Sequence, residues 1–304
     1  MSPRDAILAL LVVTIWGTSF TVIRIGLDDM PPMLLAALRY AFVALPAVFL
    51  IRPPAIELRY WILYGLTVGV GQYGCLFYAM HIGMPAGIAS IVLQAQAFFT
   101  LLFAAAVFRE TVSAAQLCGL VLAIAGLLLV YQGSGLPGAE QLPRFALFLA
   151  LSGAAFWGAS NIVVRKASLR AMAQKHHLDM FSLIIWSSLV PPIPLLLLAF
   201  TLDTPQTLAA VFTDFRLTGF LAVFYLAFAA TLFGFGVWSH LLARYAMSRV
   251  APLSLLVPVT GLLTARLVLG ESLSLLQWAG CLLVIAGLLL GSFGFPWRLP
   301  ARER

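Results

Sequence analysis

Charge is scarce in this sequence. Asp, Glu, Lys and Arg make up 10% of its 304 residues, where soluble domains carry roughly a quarter. With 62% of its residues hydrophobic, the chain cannot hide its apolar surface inside itself, because a folded protein of this size leaves much of its surface in contact with solvent. Lipid must be that solvent, and the class is a polytopic membrane protein. Cysteine is nearly missing as well. Cys75, Cys118 and Cys281 stand far apart in apolar runs with no CxxC, which excludes a disulfide framework or thiolate metal site and leaves three small buried hydrophobes. Among the few histidines, the adjacent His176 and His177 and the isolated His240 offer no metal-ligand spacing. There is no P-loop and no GxSxG elbow, so neither a cofactor nor an enzymatic centre is expected. The net charge of +7 does not imply nucleic acid. Lys and Arg sit in short gaps between apolar runs, as orientation signals do, and form no basic surface interleaved with aromatics.

What the chain has instead is length without charge. Between His81 and Arg109 run 27 residues, and between Glu110 and Glu140 run 29, with no Asp, Glu, Lys, Arg or His among them; a helix crossing the hydrocarbon layer needs roughly 20. The runs do not alternate as barrel strands would. Apolar segments and polar punctuation predict an all-α membrane protein of ten helices, at about 5–27, 31–51, 60–80, 84–108, 113–132, 145–165, 179–200, 217–242, 248–269 and 273–293. The first of these is expected to be an uncleaved helix, since no small-x-small site ends it. With the N-terminus inside, thirteen Lys or Arg fall on the cytoplasmic side and two, Arg144 and Arg216, outside. This bias predicts that both termini are cytoplasmic in a plasma (inner) membrane.

The chain also repeats itself. "WGTSFTVIR" at Trp16–Arg24 returns 141 positions later as "WGASNIVVR" at Trp157–Arg165. "VLAIAGLLLV" at Val121–Val130 returns as "LLVIAGLLLG" at Leu282–Gly291, and Glu110 and Glu271 correspond, each just before the last helix of its half. Each copy spans five helices, an odd number, so the second must enter the membrane upside down, as in secondary transporters built from inverted repeats. The expected organisation is a first repeat over 1–133, an outer linker over 134–144, an inverted repeat over 145–295 and a cytoplasmic tail over 296–304.

The Trp-Gly helix starts, the paired five-helix units and the Glu before each last helix resemble the EamA part of the drug/metabolite transporter superfamily. Within it, "DMPPMLLAALRYAFVALPA", "GMPAGIASIVLQAQAFFT" and "RVAPLSLLVPVTGL" resemble the bacterial exporters of O-acetylserine and cysteine. The resemblance covers nearly the whole chain and implies ten helices, export from the cytoplasm and metabolites of the cysteine pathway as substrates. Two positions depart from the pattern: Ser19 stands where that family often has Asn, and Arg109 precedes Glu110 where Gly is usual.

Polar groups within hydrocarbon are costly unless satisfied, so each is a candidate for the substrate site. Arg39 lies eight residues in from Pro31, about 12 Å deep at a 1.5 Å rise, with no Asp or Glu at comparable depth. It either anchors a substrate carboxylate through its planar fork or ties down backbone carbonyls. Gln94 and Gln96 stand about 200° apart around a helix, so one lines the pathway at most while the other joins helices. Trp16 with Ser19, and Trp157 with Asn161, each share a helix face and suit either an amino-acid backbone or close packing. Pro258 cannot donate to the Ser254 carbonyl, which predicts a kink or a pathway-lining break. Glu110 and Glu271 are expected to cap the helices they precede.

These readings converge on a secondary transporter that exports small amino-acid-like metabolites, of the O-acetylserine/cysteine type, by alternating access. The alternatives are export of other amino acids or of drugs and, more remotely, a lipid-modifying enzyme, which would want intramembrane acid or His clusters that the sequence lacks. With no titratable group near the midplane except Arg39, transport is expected to run down the substrate's own gradient. The partners are a small-molecule substrate and the bilayer, with no nucleic acid; the oligomeric state is left open.

Overall fold

The computed structural model describes residues 1–136, 141–214, 216–245 and 250–294. The tail at 296–304, Arg249 and part of the linker at 134–144 lie outside the described residues. Those that are described form helices and no strand. Eight helices are long and apolar enough to cross a membrane: α1 (Pro3–Leu27), α3 (Leu58–His81), α4 (Ala86–Phe108), α5 (Ala114–Gln132), α6 (Arg144–Ala173), α7 (Met180–Leu202), α8 (Leu217–Arg244) and α10 (Leu275–Phe293). Two shorter apolar helices, α2 (Pro32–Ala47) and α9 (Leu253–Leu269), occupy the places of the other two expected spans.

Local chemistry sets the ends. Proline opens α2 at Pro32 and immediately precedes α4 and α6, where its fixed φ suits a helix start and its missing N–H costs nothing. Capping boxes open α5 and α10: Ser113 and Ser274 accept from the backbone of Gln116 and Gln277, whose side chains reach back to the cap. Three boundaries differ from expectation. Helix α6 runs on past Arg165 through Lys166 and Arg170, both good helix formers, to Ala173. Helix α2 stops at Ala47, ahead of Pro53 and Pro54. A short helix, Pro205–Thr213, fills the loop after α7, capped by Thr204 on the Thr207 N–H.

The helices pack in a pattern that survives exchanging the first five for the last five. Helix α1 lies against α8 and α9, and α6 against α3 and α4; α2 pairs with α7, α4 with α9, and α5 with α10. The last pair is the closest. A Cβ on Gly119 would sit 2.4 Å from the Gly287 carbonyl, and one on Gly280 would sit 2.5 Å from that of Gly126. As the partner number falls when the first rises, the two helices run antiparallel. Backbones approach this closely only where side chains are absent, the packing mode of helices in lipid. Leu117, Val121, Ile124 and Leu128 on the outer side of α5 are exposed, as a lipid-facing stripe should be. Cys118 is exposed beside them, against the expectation of burial. In lipid an apolar side chain gains little by turning inward.

The two ends of the bundle differ. At the end bearing residues 28–31, 82–85 and 271–274, Met30, Met33, Met80, Met84, Ile88 and Leu142 are buried in the main core, and Arg216 reaches Asp29 at 3.1 Å. At the end bearing the N-terminus, Ala9, Leu241 and Val250 form a separate small cluster, and Ala167, Ala171, Leu183 and Ile185 are buried at the same end.

Candidate functional site

Two long helices lose their regular pitch halfway along. Helix α3 is π-helical over Gly65–Gly74 and α8 over Tyr225–Phe233, a widening that recurs at functional sites. In α8 it leaves the Ala230 carbonyl to accept from the Trp16 indole N–H at 2.8 Å. It also lets the Thr231 hydroxyl donate to the carbonyl of Leu226, five residues back, at 2.8 Å. Thr231 is thereby held facing Arg39, whose Nη2 donates to it at 3.1 Å. From the other widened helix, the Tyr73 ring lies 3.9 Å from the centre of the guanidinium.

The Tyr40 ring lies 5.4 Å from the same centre, and the cation is 3% exposed. Its Nε and Nη1 are buried with no partner. Stacking on an aromatic ring contributes on the order of 2 kcal/mol when desolvated, whereas moving an ion out of water costs several kcal/mol even after relaxation. The rings and one hydroxyl do not balance that cost. The guanidinium is a half-satisfied anion site.

Arg39 borders a cavity of about 170 Å³ that continues past Gln72, Trp157 and Asn161 to Ser187, Ser188 and Met180. Among the described residues, no Asp, Glu, Lys or His lines it. Gln72 is buried beside Tyr73, and its Oε1 has no partner. The Asn161 amide donates to Gln96 Oε1 at 3.0 Å and to the Thr100 hydroxyl at 2.9 Å, tying α6 to α4. A larger cavity, about 310 Å³, lies at the opposite end between Gly87, Arg266, Glu271 and Trp278. Its charged groups are engaged, and its Arg266 and Trp278 are exposed on the bundle surface, so the smaller, buried cavity carries the chemistry.

The structure brings Arg39, Trp157 and Asn161 together around that cavity. Gln96 stands behind Asn161, and Gln94 is buried in a 3₁₀ turn, Leu93–Ala95, that interrupts α4. Trp16 packs 5.1 Å from Phe235 and from Trp238, while Ser19 bonds back to the Ile15 carbonyl of its own helix; neither lines the cavity. Pro258 follows a 3₁₀ segment, Ala251–Leu256, and the Ser254 carbonyl that it cannot serve accepts from the Val257 N–H instead. The sequence reading passed over Gln72, Tyr73, Thr231 and the Ser187–Ser188 pair. Gln72 carried a usable signal, since it is an amide inside an uncharged run, the criterion that singled out Gln94.

The two glutamates do not cap the helices they precede, because Ser113 and Ser274 already do. Glu271, buried, instead accepts from the Ala86 N–H at 2.6 Å and the Gly87 N–H at 2.9 Å at the start of α4, joining the two halves. Glu110 forms a two-pronged pair with Arg165 at the end bearing the N-terminus. Those hydrogen bonds hold its carboxyl below the usual 4.5.

Comparison with known proteins identifies the lineage. A crystal structure of 18% identity superposes with a TM-score of 0.62 over 96% of this chain and 99% of its own, so the two share a fold. A protein of Salmonella typhimurium strain LT2 named "Probable amino-acid metabolite efflux pump" is 45% identical over 302 residues, 99% of each chain. One of Escherichia coli strain K12 with the same name is 44% identical over 98% of each. A "Probable terminal-alkyne amino-acid exporter" of Streptantibioticus cattleyicolor is 28% identical, covering 93% of this chain and 91% of its own. The profile of the EamA-like transporter family matches twice, at residues 4–132 and 144–293. The chain belongs to the EamA-like transporter family.

Proposed function

We propose that this protein exports small amino-acid-like metabolites, with O-acetylserine and cysteine as the substrate type, from the cytoplasm across the inner membrane by alternating access. In this reading ten helices cross the bilayer as two inverted five-helix repeats, over 1–133 and 145–295, with both termini cytoplasmic. The names of the relatives support the direction and substrate class. The packing pattern that survives exchange of the halves supports the repeats.

One observation carries the site. Arg39, a buried guanidinium with two unpartnered nitrogens, borders a cavity lined by no carboxylate among the described residues. A substrate carboxylate supplies an acceptor for one edge of the guanidinium, where Nε or Nη1 donates beside the second Nη2 hydrogen. The volume of about 170 Å³ argues against drugs, whose pockets run to roughly 300–1,000 Å³. Trp157 and Asn161 line the cavity with the anchor, and Gln96 holds Asn161 from α4; Gln94 and Pro258, at the 3₁₀ turns of α4 and α9, are proposed to serve the pathway rather than the anchor. Met180, at the start of α7, lines the cavity on the side of the end bearing the N-terminus, and in this reading that is the side from which substrate enters. Trp16 and Ser19 then belong to the pathway of the opposite state.

The test is counterflow in proteoliposomes with a panel of labelled amino acids. Arg39→Lys keeps the charge but loses the planar fork, and transport is expected to fall at least tenfold while the protein still elutes as a folded species. Normal export by Arg39→Gln would assign Arg39 a structural role and overturn the anchor.

A further inference from the structure

We propose that Gln72 is the ammonium receptor of the substrate cavity, so that Arg39 and Gln72 together select an α-amino acid rather than a simple carboxylic acid. The inference rests on reading this cavity as the substrate site and adds the second half of the recognition.

The unmet hydrogen-bonding capacity around the cavity is of two kinds. Arg39 has donors only, and its unpartnered Nε and Nη1 leave it in need of an acceptor. Gln72, 3% exposed, lines the same cavity, and its amide oxygen is buried with no partner. Two further hydroxyls line the cavity. Ser187 and Ser188 both donate to the Ile184 carbonyl, at 3.0 and 2.6 Å, so their oxygens are left as acceptors where they line the cavity. Tyr73 cannot compete for the ammonium, because its ring already faces the guanidinium.

A buried acceptor without a donor is destabilising, and a bound N–H relieves it. An α-amino acid presents an acceptor group and a donor group on neighbouring atoms, matching the two kinds. The ammonium meets neutral dipoles rather than a carboxylate. A carboxylate at position 72 would pair with Arg39 and close the anchor; an amide accepts a proton donor and leaves the guanidinium available. Sites built to bond a particular N–H reject analogues that lack it, so the amino group becomes a condition of transport.

The experiment is counterflow of labelled O-acetyl-L-serine, competed by 3-acetoxypropionate, which lacks the amino group, and by O-acetylethanolamine, which lacks the carboxylate. In the unaltered protein both are expected to compete at least tenfold more weakly than O-acetylserine. Gln72→Met, of similar length, should weaken O-acetylserine about tenfold and leave 3-acetoxypropionate unchanged, erasing most of the difference between them. Gln72→Glu should pair with Arg39, abolish competition by 3-acetoxypropionate and admit O-acetylethanolamine, which keeps the proposal testable if the Met variant does not fold. An unchanged ratio of O-acetylserine to 3-acetoxypropionate in either variant overturns the role of Gln72 and leaves the exporter reading standing. Absence of counterflow for every α-amino acid tried overturns both.

Discussion

Arg39 shows how a single residue can define a site by what it lacks. Its position in the middle of an apolar helix was legible in the sequence, and so was the missing acidic partner. Its actual neighbours were not, because Thr231 and Tyr73 reach it only through π-helical widening, which has no residue-spacing signature. Two other positions at this scale have measurable consequences. Arg109 holds a left-handed conformation, φ 56°, at the place where Gly270 holds φ 71° in the second copy. A side chain there costs roughly 1 kcal/mol, which glycine avoids. Arg109→Gly is therefore expected to raise the thermal unfolding midpoint by about 2 °C without changing transport. Next to it, Glu110 has a carboxyl held below its usual range by Arg165. Such a group adds stability that is present above its unfolded pKa and is lost as pH falls through the lowered folded value. Glu110→Gln should thus be less stable than the unaltered protein at pH 7, with the gap closing once the pH drops below the usual carboxylate range; a gap that does not change with pH would exclude the ion pair as its source.

At the scale of elements, the α5–α10 crossing is the feature with the least slack. Gly126→Ala and Gly280→Ala would each drive a Cβ into a partner carbonyl, at 2.6 and 2.5 Å. Overpacking of this kind costs about 1–3 kcal/mol. Because they sit at one contact, the double variant is expected to cost less than the sum of the singles: once the backbones have separated, the second methyl finds room. Additive losses in a denaturation cycle would show that the two glycines act independently. The heptad-spaced glycines were visible in the sequence, and the repeated "AGLLL" even marked the helices as copies. That they face one another was not visible, since an internal echo says which segments are alike but not which ones touch. The glutamates were misplaced for a related reason. A carboxylate before a helix suggests a cap, yet a Ser-x-x-Gln box one turn later already provides it, and the carboxylate is free to serve a helix from the other half.

For the whole molecule, the question is what drives transport. Among the described residues, neither an acid nor a histidine lines the cavity. Glu110 and Glu271 lie at opposite ends, engaged by Arg165 and by the start of α4. A proton-coupled carrier commonly uses an intramembrane carboxylate or histidine. In sealed vesicles at zero membrane potential, an imposed pH step is expected to leave O-acetylserine at equilibrium on both sides. Accumulation that disappears in Glu271→Gln would instead make that carboxylate a coupling group. The all-helical membrane class and the family were readable because hydropathy and echo are properties of long segments. The cavity was only partly readable, because it depends on where helices lose their regularity.

The two copies of the Trp-Gly motif are not in the same condition. Trp16 is locked, its indole N–H on the Ala230 carbonyl and its ring between Phe235 and Trp238, while Trp157 borders the cavity. If the halves trade conformations when the carrier turns over, the tryptophans trade places too, one leaving its aromatic nest as the other enters an equivalent one. The chain would then carry its own optical reporter: seven indoles, of which one matched pair changes polarity in opposite directions. The summed emission would barely move, and only a protein with one of the two replaced would reveal the cycle in its colour.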